Sequence, residues 1–275
     1  MKRPFAVVTD STADLPDDWR ERYGIEVVPL KVLFGSETFR DRVDMTDAEF
    51  FARLAAATKL PTTSAPSPGE FAEAYTRLAR DYESCISIHI GAQLSATAEA
   101  ARVGAQSVDG FPVEVIDSET VTMPMAFLCR VAAESPTLAA AVAAVKERVP
   151  KARVLALLDT LRYLEMGGRL SRAQAVIGTM LDLKPLLLVK DREIKPVDRV
   201  RTRARAIGRM VEFFRGELPV EYVAVMHAQA PDEAGEIAAK MRANLPGQEI
   251  SIGQIGCVLG THTGPRALGV VYLKR

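Results

Sequence analysis

Cys85-Ile86-Ser87-Ile88-His89-Ile90, followed by Gly91-Ala92-Gln93-Leu94-Ser95-Ala96-Thr97, decides the fold. A short apolar run that ends on a glycine and hydroxyls reads as a buried strand. The 96–107 segment then carries helical periodicity. The same unit recurs. Residues 5–9 read as a strand that opens into Asp10-Ser11-Thr12, with Pro16 suited to the first turn of a following helix. Residues 113–117 form a third strand, which opens into Asp117-Ser118-Glu119-Thr120 ahead of Pro124. Helical patterns fill 47–57 and 69–80. Strands spaced by helices imply parallel βαβ units, whose ligands sit beyond the carboxyl ends of the strands. Three strand ends carrying hydroxyls predict one shared crevice.

An alanine-rich helical stretch over 137–148 ends at Pro150, and a domain junction is expected there, dividing the chain into 1–150 and 151–275. The second half reads as α/β with some antiparallel pairing. Residues 154–158 form a strand, and 160–166 a short helix closed by Gly167-Gly168. A helix is expected over 171–181 with Ser171 as its cap. Strands at 186–189 and 193–197 flank Lys190-Asp191-Arg192 as a hairpin. Thr202 caps a helix to Phe214, and further strands fall at 222–226, 250–252 and 269–273.

The 275 residues are 48% hydrophobic, enough for a full core. Lys+Arg and Asp+Glu both number 35, so no basic field attracts nucleic acid. No apolar run is long enough for a signal peptide or a membrane span. Cys85, Cys129 and Cys257 lie far apart in apolar surroundings and read as buried free thiols in a reducing cytoplasm.

Candidate chemistry lies in loops. Thr62-Thr63-Ser64-Ala65-Pro66-Ser67-Pro68-Gly69 reads as a polar loop stiffened by its prolines. Ser67 suits the cap of the helix that Pro68 starts, which leaves Thr63 and Ser64 for ligand contact. Ser95 has two readings. It is an ordinary N-cap, or it joins the free N–H groups behind it in holding an anion. His262 lies in Gly260-Thr261-His262-Thr263-Gly264-Pro265, where the flanking glycines allow close ligand approach. His89 and His227 show no metal-ligand spacing with it. Arg169 follows Gly167-Gly168. Arg199, Arg201, Arg203 and Arg205 crowd a helix start, where they oppose the helix dipole, so a phosphorylated or acidic partner fits.

Taken in order, these segments resemble the DegV family, the fatty-acid-binding proteins that serve bacterial fatty acid kinase. The resemblance runs through Thr9-Asp10-Ser11-Thr12-Ala13-Asp14-Leu15, Thr63-Ser64-Ala65-Pro66-Ser67-Pro68, Leu94-Ser95-Ala96-Thr97, Asp117-Ser118, Asp159-Thr160-Leu161, Gly167-Gly168-Arg169, Lys184-Pro185, Arg201-Thr202-Arg203 and the 260–265 segment. It implies a two-domain α/β protein, with a mostly parallel Rossmann-like N-terminal sheet and a mixed C-terminal α/β domain that closes over a buried acyl chain. Thr63 and Ser95 map onto the residues that hold the fatty acid carboxylate, with Ser64, Ala96 and His262 beside them. Arg169, Arg201 and His262 map onto residues that couple the carrier to the kinase. The family's LSGT reads Leu94-Ser95-Ala96-Thr97 here, which adds a methyl. Its TSQPS reads Thr63-Ser64-Ala65-Pro66-Ser67, which removes an amide.

The resemblance implies a cytoplasmic lipid carrier rather than an enzyme. Its ligand is a long-chain fatty acid and its partner a fatty acid kinase. It has no cofactor, metal, nucleic acid or inserted membrane segment. The alternative is a small-molecule kinase or transferase acting through His262. Against it stands the absence of a P-loop GxxxxGK[ST], of a GxSxG elbow and of a metal-ligand set in the sequence.

Overall fold

A computed structural model describes residues 4–170 and 183–275. The helix expected over 171–181 lies outside them. The chain opens with β1 (Ala6–Asp10), α1 (Asp17–Tyr23), β2 (Glu26–Val28), β3 (Lys31–Phe34), β4 (Glu37–Arg40), α2 (Asp47–Ala56), β5 (Thr62–Ser64) and α3 (Pro68–Leu78). It continues through β6 (Cys85–His89), α4 (Thr97–Ala105), β7 (Val113–Asp117), α5 (Met123–Ala133) and α6 (Leu138–Arg148). The second half holds β8 (Ala152–Leu157), α7 (Arg162–Met166), β9 (Lys184–Lys190), β10 (Glu193–Val200) and α8 (Arg203–Arg215). β11 (Val220–His227), α9 (Pro231–Arg242), β12 (Ser251–Gln254), α10 (Cys257–Thr263) and β13 (Leu268–Lys274) complete it.

The βαβ reading holds in the first half. β1, β2, β6 and β7 form a parallel sheet in the order β2-β1-β6-β7, with Thr9 opposite Ile88 and His89 opposite Asp117. β1 and β6 are buried along their whole length, as the central strands of a covered parallel sheet must be. The second half forms a mixed sheet in the order β10-β9-β8-β13-β11-β12, antiparallel except between β11 and β12. The expected hairpin is present. Its two-residue turn is Asp191-Arg192, both at positive φ (53° and 61°), the geometry that matches the twist of a β-hairpin. At that turn Arg192 reaches Glu119 at 2.7 Å and Asp117 at 3.3 Å, across to the end of β7.

A third, three-stranded sheet, β4-β3-β5, has no counterpart in the sequence reading. The segment read as a polar loop enters it, since Thr62–Ser64 pairs antiparallel with β3 and Thr63 sits opposite Val32. Three residues with no apolar alternation give no strand signal; the backbone ladder alone makes the strand. Ser67 does cap α3, in a reciprocal capping box with Glu70.

α5 binds the two large sheets together. Every residue from Met123 to Ala132 except Arg130 is buried. A helix that is apolar all round has to be enclosed, and α5 packs against β1 and β6 on one side and β8, β11 and β13 on the other. One hydrophobic core therefore runs from Val7 and Ile86 through Phe127 and Leu128 to Val154 and Val271. The three cysteines are free and buried.

The segment around His262, read as a glycine-flanked loop, is instead helix α10, which packs against α2, β3 and β5. Gly260 permits that contact. A Cβ there would stand 2.6 Å from Phe50 Cε1 and 2.9 Å from Phe51 Cζ, and Phe50 is fully buried. Only Gly264 needs glycine for its backbone, at φ 73°; its Cα also packs on the Tyr163 ring. Gly260→Ala is expected to destabilise the fold by about 1–3 kcal/mol through overpacking. Urea denaturation of the variant against the parent measures it, and an unchanged midpoint would refute the close packing.

Candidate functional site

Between the parallel and mixed sheets lies a cavity whose free space, counted together with the solvent at its open mouth, is about 1070 Å³. Most of its wall is aliphatic, including Leu94, Leu164, Leu187, Ile194, Val258 and Val271. Among the described residues the polar side chains on the wall are few: Thr63, Ser64, Ser95, Thr122, Arg169, His262 and Thr263. Such a surface suits a long apolar ligand with one polar group.

Several of these polar groups are tied to one another. Thr63 Oγ1 and His262 Nε2 are 2.8 Å apart, so β5 and α10 meet at this bond. His262 Nδ1 is shielded and has no hydrogen-bond partner among the described residues, because it packs against Gly167, where a Cβ would stand 2.3 Å away. A buried N–H without a partner is costlier than an unpaired acceptor. The arrangement therefore favours the Nε2–H tautomer, with the ring donating to Thr63 Oγ1. That leaves the Thr63 O–H as a donor for a ligand. Burial and the nearby Arg169 charge lower the His262 pKa from 6.5 to about 4, so the imidazole is neutral at pH 7.

Ser95 forms a similar pair. Its Oγ lies 2.8 Å from Thr97 Oγ1. Two hydroxyls sharing one bond keep one O–H to spare. The N-cap reading of Ser95 needs correction. Ala96 occupies the cap of α4, and among the described residues no side-chain cap bonds that helix's first turn. Its N–H groups therefore remain available to an anion. Arg169 donates from Nε to Leu94 O (3.2 Å) and from Nη1 to Gly167 O (2.7 Å), joining the Ser95 turn to the Gly167 turn beside His262.

The structure thus brings Thr63, Ser64, Ser95, Arg169 and His262 to one cavity. Ala96 is exposed and outside its wall, and Arg201 is exposed just before α8. The single crevice expected from three strand ends is only partly formed. Ile90 and Ser95 beyond β6, and Val121 and Thr122 beyond β7, line the cavity. The hydroxyls beyond β1 do not, because local bonds consume them: Ser11 Oγ accepts from Leu30 N, and Thr12 Oγ1 bonds Asp10. His89 is likewise committed, between Asp10 (3.0 Å) and Ser87 (2.7 Å), with Tyr75 next in the buried chain at 2.8 Å.

Sequence reading missed what fixes α10. Asp14 Oδ1 accepts from Gly256 N (2.8 Å) and Asp41 Oδ1 from Cys257 N (3.0 Å) at the start of that helix. Asp14 also takes the Thr122 hydroxyl at 2.6 Å and faces Arg42 at 3.5 Å. Asp10 and Asp14 sit within a quoted motif, but nothing in one sequence tells which backbone a buried aspartate will cap.

A family model described as "Uncharacterised protein, DegV family" matches residues 4–275. The chain belongs to the DegV family. A DegV domain-containing protein of Streptomyces coelicolor is 38% identical over 284 residues, covering 100% of both chains. The crystal structure of DegV from Bacillus subtilis, described as a fatty acid binding protein, is 35% identical, with a TM-score of 0.90 and 99% of each chain covered. A DegV family protein from Thermus thermophilus, whose structure is described by its fatty acid binding, is 30% identical with a TM-score of 0.91, covering 99% of this chain and 100% of that one. The mixed α/β fold expected from the DegV resemblance is the fold observed.

The buried groups give opposed pH dependences. Burial raises the Asp14 pKa from 3.8 to about 7, so its contribution to stability is full below 3.8 and is lost as pH rises through about 7. The His262 contribution is full above 6.5 and is lost as pH falls through about 4. Asp14→Asn removes the first limb and keeps an oxygen for Gly256. Between pH about 4 and 7 the variant is expected to gain stability relative to the parent as pH rises, read by urea titrations. A pH-independent difference would refute the shift.

Proposed function

We propose that this DegV protein is a carrier that buries a long-chain fatty acid in the cavity and presents its carboxylate to a fatty acid kinase, which makes the acyl phosphate. The observation that carries the reading is the Thr63–His262 pair, which sets a neutral donor into an otherwise aliphatic cavity. A chain of roughly 14–18 carbons, at about 0.8 kcal/mol per CH₂, contributes on the order of 10 kcal/mol of gross burial. A carboxylate drawn in behind it needs hydrogen-bond donors. Thr63, Ser95 and the first-turn N–H groups of α4 supply them without a fixed ion pair, and Ser64 and His262 stand alongside. Related proteins described as fatty acid binding support the same reading.

Residues 1–150 and 151–275 act in this reading as the two lobes that enclose the acyl chain. Arg169, beside His262, meets the charge that phosphorylation adds, and exposed Arg201 meets the kinase. Neutral donors suit a carrier that must surrender its carboxylate, because they bind it without competing as a counterion would.

Organic extracts of the purified protein are expected to contain a fatty acid by mass spectrometry. No acyl chain, together with no binding of added oleate or palmitate, would refute the carrier reading. Thr63→Ala and Ser95→Ala should each weaken binding by about 1.5–3 kcal/mol, the contribution of a hydrogen bond to a charged group. Calorimetry measures the loss; a lower melting temperature with unchanged affinity would make the hydroxyls purely structural.

A paired assay separates binding from phosphate transfer. Arg201→Ala should keep lipid binding and slow acyl phosphate formation with a cognate kinase. His262→Ala should damage transfer more than affinity. Unchanged turnover in both would remove the kinase from the proposal.

A further inference from the structure

On the far side of α10 from His262, three carboxylates and a thiol converge. Asp14 and Asp41 are buried, Asp47 opens the first turn of α2, and Cys257 is the first residue of α10. Among the described residues their close cation is Arg42, which bonds Asp47 at 3.0 Å, faces Asp14 at 3.5 Å and also donates to Gln254 O at 2.7 Å. One guanidinium therefore serves three acidic side chains. Asp41 is 2% exposed; its Oδ1 is taken by Cys257 N, and its Oδ2 is shielded with no hydrogen-bond partner of good geometry among the described residues. The Ser11 hydroxyl accepts the Leu30 N–H and keeps its own proton to act on this carboxyl, though not in good hydrogen-bond geometry. A buried carboxylate oxygen left unpaired is costly, and here it faces further anionic donors.

The geometry points to a binding site for a borderline-soft divalent cation of the zinc type, held by Asp41, Asp47 and Cys257. One ligand atom from each lies within 4.8 Å of the other two. Cys257 Sγ is 3.7 Å from Asp47 Oδ1 and 3.9 Å from Met45 O, which offers a fourth oxygen. Zinc–sulfur and zinc–oxygen bonds of about 2.3 and 2.1 Å place tetrahedral ligands about 3.4–3.6 Å apart, so the thiol–Asp47 spacing already fits and Asp41 needs to close by about an ångström. One thiolate with two carboxylates is a donor set for zinc rather than for magnesium or calcium, which take oxygen alone. A second cavity, lined by Ser11, Asp14, Asp41, Arg42, Thr46 and Asp47, gives the ion a route in.

The binding step is an exchange of ions with no redox change. The cation displaces the Cys257 thiol proton to water and bonds the thiolate. Its two positive charges offset that thiolate and one carboxylate, and Arg42 offsets another. The ion would tie the loop before α2 to the start of α10, the helix that carries His262. Histidine spacing could not reveal it, since its donors come from separate segments and none is a histidine.

Tag-free, metal-free protein titrated with Co²⁺ tests the site. A thiolate-to-cobalt charge-transfer band in the near ultraviolet is expected at one equivalent, chased away by Zn²⁺. Cys257→Ser should abolish the band. Asp47→Asn, at a partly exposed position, should leave the fold intact by circular dichroism and weaken binding by at least the roughly tenfold that loss of a supporting partner costs. Absence of the band in the parent protein overturns the proposal whatever the variants do. So does a band that survives Cys257→Ser, or metal binding without thiolate absorption.

Discussion

Two carboxylates from the first 41 residues hold the start of a helix built more than 200 residues later. Asp14 and Asp41 accept from the N–H groups of Gly256 and Cys257, donors that a helix start cannot satisfy within itself. The rest of the site depends on this cap. It fixes α10 against α2 through Gly260, and α10 in turn carries His262 to within 2.8 Å of Thr63. Fold and binding surface therefore share one constraint. The same two aspartates that orient the helix pack acidic charge behind it, with Arg42 as their close cation.

The wall of the cavity follows a different logic from its polar cluster. Aliphatic side chains from both large sheets need only be apolar and of suitable size, so many sequences would serve. The polar contacts are specific. Thr63 must stand on β5, His262 on α10 and Arg169 after Gly168, and each position comes from a different part of the chain. Gly167 is part of this precision, since any Cβ there would collide with the imidazole. The tautomer that leaves Thr63 free to donate follows from that collision.

Much of this was legible in the sequence, for physical reasons. β1 and β6 are short buried runs, mostly apolar, β7 is rich in β-branched residues, and Ser67–Glu70 forms a capping box whose spacing is local. The turn at Asp191-Arg192 is equally local. What escaped depends on distant partners. β5 has no pattern of its own and exists because β3 offers it a ladder. α10 looked like a loop because its glycines, read alone, suggest bends; packing against Phe50 and Phe51 makes Gly260 a helix contact instead. Thr63, Ser95 and His262 were singled out by residue type and motif resemblance, and the structure brings them to one cavity. Arg169 joins them there, beside the imidazole. Asp41 drew no notice, because a buried acidic group can be recognised only once the backbone it serves is known.

α5 has a consequence for how the chain behaves as a whole. Its residues contact both large sheets, so neither sheet can lose its packing without exposing the helix that supports the other. The chain passes between the sheets near residue 150, and α5 packs on both sides of that passage. Severed there, the first half would keep α5 with one flank bare, and the second would lose the apolar cover of β8, β11 and β13. The two halves therefore lean on one shared helix, and loosening either bares part of its apolar surface.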